Sequence, residues 1–235
     1  MIVTNKKSLS LGVVLTITFF IVLAVFCSPV FNGQTGLQYA DDLFNSISKG
    51  SAYFIPTIRA GAEEWRGTAF EVTVEVKDAD KAEKAALLYR EAGAEVTVSD
   101  GKLTISGDLG SVALAAVADA EEMYHNRGET LVARYGFDER EVLYLWWLTI
   151  DGAEAYLMRA EQYEAANFLG ELKTRTIEAA YNYYGVEPLE IREFAGVVVF
   201  LLVFYVIYTM WWGFSVYYLF EGLGITMAKA KKAEV

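Results

Sequence analysis

FAGVVVFLLVFYVIYTMWWGFSVYYLF, residues 194–220, is a run of 27 residues without one charged side chain. As a helix it reaches about 40 Å at 1.5 Å per residue, more than the ~30 Å hydrocarbon core of a bilayer. The surplus belongs at an interface. Trp211, Trp212, Phe214, Tyr217 and Tyr218 crowd its C-terminal half, where amphipathic rings favour the headgroup level. Upstream, the chain from Ser8 up to Asp41 is equally free of charge and contains LSLGVVLTITFFIVLAVF at 9–26, behind Lys6 and Lys7. This segment reads as a membrane helix or a signal peptide. Phe26 directly before Cys27 and the lack of an A-x-A pattern before Pro29 argue against cleavage, as does an apolar run longer than the usual ~7 to 15 residue signal core. The 54% hydrophobic content of the 235 residues thus separates into two expected membrane helices, 9–28 and 188–220, around a polar middle.

The charges set an expected orientation. Lys6 and Lys7 precede the first helix, Lys229, Lys231 and Lys232 follow the second, and no Lys or Arg occurs between Pro29 and Ser48. The positive-inside rule therefore predicts cytoplasmic tails at 1–8 and 221–235, with residues 29–193 on the extracytoplasmic side, periplasmic or extracellular. That middle segment carries 15 Lys+Arg against 29 Asp+Glu, a net of −14, while the rest of the chain carries a net of +3. Such acidity repels nucleic acid and anionic headgroups, and attracts cations or a basic partner. Simple solubility is the plainer explanation.

Within the middle, Leu37, Ala40, Leu43, Phe44 and Ile47 recur at helical spacing and predict a short amphipathic helix, followed by an irregular connector over Ser51–Gly67. FEVTVEVK at 70–77 alternates as a half-buried strand. Asp78 or Asp80 then caps a helix that buries Ala82, Ala85, Ala86, Tyr89 and Ala92 and ends at Gly93. Two further strands flank Asp100-Gly101, a type I′ hairpin turn, and a second helix covers Leu109–Tyr124. With TLVARY at 130–135 as a sixth element, the order becomes β-α-β-β-α-β, a ferredoxin-like arrangement expected over 70–136. The stretch from Asp80 through Ile105 also resembles, in pattern alone, the small αββ modules that build rings in secretion and flagellar base proteins. That resemblance implies self-assembly and assigns no residue a role.

Beyond Phe137, Asp138 and Glu141 form a capping pattern before VLYLWWLTI, the longest apolar run outside the two expected membrane helices. Nine residues cannot span a bilayer. Leu145, Trp146 and Trp147 are therefore either core or a docking helix for a partner or the membrane. Residues 153–184 predict a helix or helix pair, broken at Gly170, so that 137–187 forms a helical hairpin or stalk.

Little chemistry is available. One cysteine and one histidine exclude a disulfide framework, a Cys/His zinc site and a CxxCH haem, each of which needs several ligands together. His125 is placed to end a helix, and Cys27 lies at the membrane, so no nucleophile-base pair is expected. Glu63/Glu64, Glu121/Glu122 and Glu161/Glu164 have no discriminating spacing, and ordinary helix-surface pairs such as Asp80 with Lys84 and Glu171 with Arg175 explain several charges. No phosphate loop, dinucleotide fingerprint or nucleophile elbow occurs. No catalytic residue, cofactor or metal is expected.

Eleven of the 34 aromatic residues fall in 194–220, and Phe200, Phe204, Tyr208, Trp211 and Tyr218 recur close to one helical face. Mid-span hydroxyls seek hydrogen-bond partners, so this stripe is a candidate interface for another membrane subunit, or less readily a quinone or lipid site, against lipid contact as the plainer reading. The short tails leave no room for a cytoplasmic signalling domain. The expected function is a non-catalytic accessory or structural subunit of a larger membrane complex. A self-assembling scaffold and an extracytoplasmic sensor or binding domain are the alternatives.

Overall fold

A computed structural model describes residues 3–225. In chain order the elements are α1 (Lys6–Phe26), α2 (Gly36–Ser51), α3 (Ile55–Glu64), β1 (Ala69–Glu75), α4 (Ala79–Glu91), β2 (Glu95–Ser99), β3 (Lys102–Asp108), α5 (Leu109–Tyr124), α6 (Glu129–Tyr135), α7 (Glu139–Arg159) and α8 (Tyr163–Leu172). A π-helical turn, Lys173–Ile177, leads into α9 (Glu178–Asn182), and α10 (Ile191–Gly222) follows. The protein is a mixed helix and sheet structure in two compact units, Asn45–Leu189 and the remainder. The expected basic tail with Lys229, Lys231 and Lys232 lies outside the described residues.

The sheet of the 45–189 unit follows from simple patterning. Phe70, Val72 and Val74 are buried while Glu71 and Glu75 are exposed, so β1 presents one apolar face. Asp100 and Gly101 take φ values of 48° and 71°, the two positive angles a type I′ turn requires, and pair Ser99 opposite Lys102. β3 also pairs with β1, Val72 opposite Ile105, giving an antiparallel sheet of order β1-β3-β2. α4 and α5 connect and follow these strands as expected. The Asp78 carboxylate caps α4 by accepting from Asp80 N and Lys81 N at 3.0 and 3.2 Å.

Asp108 caps α5, accepting from Ser111 N at 2.6 Å and, from across the loop, Gly67 N at 2.5 Å. The Ser111 bonds hold its carboxyl below the ordinary range. Asp108→Ala is expected to destabilise the unit by about 1 kcal/mol. A depressed folded-state value means that this contribution is complete above pH ~4 and is lost as pH falls through the folded value. Chemical denaturation at pH 7 and pH 3 should therefore show the wild-type advantage shrinking at the lower pH.

The expected ferredoxin-like arrangement is not completed, because TLVARY is helix and not strand. Leu131 and Tyr135, four residues apart, are buried while Ala133 between them is exposed, which is a helical and not an alternating pattern. Glu129 sits in the first turn, Arg134 in the last, and Gly136 closes the helix at φ 81°, a left-handed C-cap that glycine adopts freely. Among the described residues the sheet has three strands, and β1 has no strand on its outer edge. The expected connector 51–67 contains helix α3, begun by Pro56 in the first turn, where its missing N–H costs nothing.

Residues 137–187 are helical, with α7 and α8 turning back on each other, and they pack into the domain. Val142, Leu143, Leu145, Trp146, Ile150 and Leu157 of α7, with Leu169, Ile177 and Ala180 beyond it, join the same core as the sheet. α7 crosses so close to β1 that a Cβ on Gly152 would collide with Val74 Cγ1, so only glycine permits the approach. The helix breaks at residues 160–162, where Glu161 takes φ 60°, and not at Gly170, which lies inside α8.

In the other unit, α1 and α10 are each long and apolar enough to cross a membrane. They run antiparallel, Phe26 meeting Phe204 at one end and Gly12 meeting Leu219 at the other. α10 begins at Ile191, just after the expected start near Pro188.

Candidate functional site

The aromatic stripe of α10 is largely committed to α1. Tyr208 Oη donates to the Phe19 carbonyl at 3.1 Å and stacks on the Phe19 ring, centroids 4.2 Å apart. Trp211 Nε1 donates to the Leu15 carbonyl at 3.1 Å. Phe204 stacks on Tyr208 and reaches Phe26 at 5.7 Å. These three residues therefore pack on the chain's own first helix. Phe200, at 65% exposure, stacks on Phe204, and Tyr218 packs edge-on against Tyr217. Both hydroxyl and indole donors are satisfied inside an apolar pair, as a bilayer demands. Small residues allow the approach: a Cβ on Gly12 would fall 2.6 Å from Leu219 N, and one on Gly222 2.6 Å from Leu9 Cα.

Of the candidate docking helix, Leu145 and Trp146 are fully buried in the core. Only Trp147 reaches the surface. It lines a groove of ≈ 320 Å³ with Leu143, Tyr144, Ile177, Glu178 and Tyr181. Trp147 Nε1 donates to Glu178 Oε1 at 2.7 Å, which orients the indole, and Tyr144 stacks alongside it at 6.3 Å. The π-helical turn Lys173–Ile177 carries Ile177 and leads directly to Glu178, so the groove wall is built where the regular helix widens. That widening also removes the expected Glu171–Arg175 pair by breaking the i,i+4 register, and Arg175 lies instead over the Phe54 ring at 5.5 Å. In the same turn Thr174 Oγ1 donates to the Gly170 carbonyl at 2.9 Å, whereas Thr176 is buried with no hydrogen-bond partner for Oγ1.

Two buried charges escape sequence reasoning. Asp119 is fully buried and accepts from Trp146 Nε1 at 2.8 Å and Tyr135 Oη at 2.7 Å on one oxygen, and from Arg134 Nη1 at 2.6 Å on the other. Burial pushes its carboxyl up, opposed by these donors. The available signal is spacing, because Asp119 falls in line with Val112, Ala116, Ala120 and Met123 on the buried face of α5. Both oxygens have donors from core elements, so the carboxylate acts as a joint between α5, α6 and α7.

Lys49, also fully buried, donates to Asn126 Oδ1 at 3.0 Å and to the Val186 carbonyl at 2.5 Å, and lies over the Tyr124 ring at 5.0 Å. Burial lowers its ammonium below the ordinary range, with Glu187 opposing. Asn126, held at φ 58°, in turn accepts from Gly185 N and donates to Val186 O and Glu187. Leu189 N donates to Ser46 O at 3.0 Å. Together these bonds fasten the place where the chain enters the domain, 46–50, to the place where it leaves, 185–189.

Several of the remaining candidates hold structural contacts, while Glu64, Glu161 and Glu164 are exposed. His125 ends α5 with its ring against Tyr53 and Tyr124. Glu121 pairs with Arg59 at 2.5 Å, Glu122 with Arg127 at 2.7 Å, Glu63 with Arg66, and Asp80 with Lys84 at 2.7 Å. Among the described residues no group of three or more His, Cys, Asp or Glu side chains is placed to hold a metal ion. No protein-family model, curated protein or solved structure matches this chain.

Proposed function

We propose that this protein is a membrane-anchored, non-catalytic accessory or structural subunit of a larger membrane assembly. Its α1–α10 hairpin lies in the bilayer, and its acidic domain meets a basic partner on the extracytoplasmic side. The observation that carries the reading is the internal closure of the hairpin through Tyr208 and Trp211. A pair of helices that satisfies its own polar side chains is a finished anchor and leaves recognition to other surfaces. The antiparallel pairing, with Thr4 N donating to Gly222 O at 3.0 Å, supports both ends on one side, and Lys6 with Lys7 supports that side as cytoplasmic.

The Trp147 groove supports the partner contact. Tryptophan and tyrosine dominate the binding energy of protein interfaces, Glu178 adds a carboxylate, and a net charge of −14 over 29–193 steers a basic surface toward it. Purification of the intact chain in mild detergent, followed by mass measurement of the complex, tests the reading. Other chains are expected in stoichiometric amount, and a homo-oligomer alone overturns it. Trp147→Ala is expected to reduce their recovery about tenfold, a loss of ~1.4 kcal/mol, while the half-buried position keeps the domain folded by circular dichroism. The unpaired edge of β1 favours a second reading, lateral self-assembly of the domains by strand pairing, against which the like charge of every copy works.

A further inference from the structure

On either side of the Phe26–Phe204 contact lies an apolar cleft. The first, ≈ 350 Å³, is lined by Leu23 of α1, Leu37, Ala40 and Phe44 of α2, and Leu202 and Tyr205 of α10. The second, ≈ 280 Å³, is lined by Val22, Val25, Tyr39, Val197 and Phe200. Among the described residues no charged side chain lines either one. Each cleft has α1 and α10 as walls and the first half of α2 as a third side, with Leu37, Ala40 and Phe44 facing the first cleft and Tyr39 the second.

We infer that these two clefts hold the acyl chains of bilayer lipid, and that the lipid favoured there has a zwitterionic headgroup. The inference rests on the reading that α1 and α10 span a membrane. Cleft volumes of this size, bounded by Leu, Val and aromatic side chains, suit a flexible hydrocarbon chain. Leu202, Tyr205 and Phe200 line the clefts and are also among the most exposed side chains of α10, at 55, 66 and 65%. The cleft walls are therefore continuous with the outward apolar surface of the hairpin, and lipid reaches them without crossing any polar group. Headgroup choice follows from charge. The charged residues on α2 up to Phe44 and at the start of α10 are Asp41, Asp42, Glu190, Arg192 and Glu193, four carboxylates against one cation, so an anionic headgroup held above the clefts meets net repulsion.

Site-specific photocrosslinking of the full chain tests this. A benzophenone amino acid replaces Phe44 in one protein and Val206, an exposed mid-helix position on α10, in another. Each is reconstituted in vesicles of equal phosphatidylcholine and phosphatidylglycerol, and the adduct masses are read. The Phe44 probe is expected to capture phosphatidylcholine several-fold over phosphatidylglycerol. Ala40→Trp, which fills the first cleft, is expected to reduce that adduct several-fold and leave the Val206 adduct unchanged, so a folded hairpin is verified in the same variant. Lipid at Val206 with no lipid at Phe44, capture in proportion to vesicle composition, an adduct unchanged by Ala40→Trp, or capture of a second copy or another protein at Phe44 each overturns the cleft assignment and leaves the anchor intact. No lipid adduct at Val206 overturns the membrane-spanning reading itself, and the clefts with it.

Discussion

Asp119→Ala is expected to cost the 45–189 domain about 3–5 kcal/mol, the scale for removing one partner of a buried charged pair. Trp146 Nε1 and Tyr135 Oη both end on one oxygen of this carboxylate. Trp146 is fully buried and Tyr135 nearly so, so neither donor finds water when that oxygen is gone. Arg134, whose side chain is 44% exposed, swings to solvent at little cost. Asp119→Asn separates the two effects. An amide oxygen in place of the doubly used carboxylate oxygen keeps both buried bonds, but the amide nitrogen then faces the Arg134 guanidinium as donor against donor, so a smaller cost of about 1–3 kcal/mol is expected. Denaturant titration of the three proteins in detergent gives the ranking.

The pH dependence of the same group has a definite sign. Burial raises the Asp119 carboxyl in the folded protein, while the unfolded chain titrates near ~3.9. Between those two values the folded state holds more protons, so Asp119 favours folding at the acid end, and that contribution declines as pH rises through the folded value. Asp119→Asn removes this slope, whereas Asp108→Ala removes one of the opposite sign. Stability curves from pH 3 to pH 7 that show no opposed change between the two variants would count against the assignment of either carboxylate.

The second large effect is expected at the crossing of α1 and α10. Gly222→Leu places a branched side chain where a Cβ alone comes within 2.6 Å of the Leu9 backbone. Backbone cannot yield as a side-chain tip can, so the helices must separate, at roughly 1–3 kcal/mol for overpacking. Separation also draws the Gly222 carbonyl away from Thr4 N and Asn5 N. Unfolding in a graded series of sodium dodecyl sulfate fractions should shift to lower detergent for Gly222→Leu. Gly213→Leu, at a position where a Cβ would meet nothing within 4 Å, serves as the control and should stay at the wild-type midpoint.

The elements legible in the sequence share one property: their signal is local. Alternation over 70–77, the Asp100-Gly101 turn and the caps at Asp78 and Asp138 each act within a few residues. TLVARY misleads because six residues can satisfy period two and period four at once. Leu131 and Tyr135 decide for the helix through burial against other elements, which the hexapeptide does not carry. The aromatic stripe is legible as a group of residues on one face, whereas its partner is not. A helical face says that something packs on it, and α1, nearly two hundred residues upstream, is invisible to that periodicity.

By itself the sequence determined the two apolar helices, the acid-rich middle and the order β-α-β-β-α, because hydropathy, charge and turn chemistry are properties of residues and their near neighbours. Only the tertiary structure decided that Tyr208 and Trp211 face α1, that Trp146 and Asp119 meet in the core while Trp147 lines a groove, and that Lys49 joins the two ends of the domain. Each of those outcomes depends on pairs of side chains far apart in the chain. Their meeting is governed by how whole helices cross, at Gly12, Gly152 and Gly222, where the absence of a single carbon sets the distance.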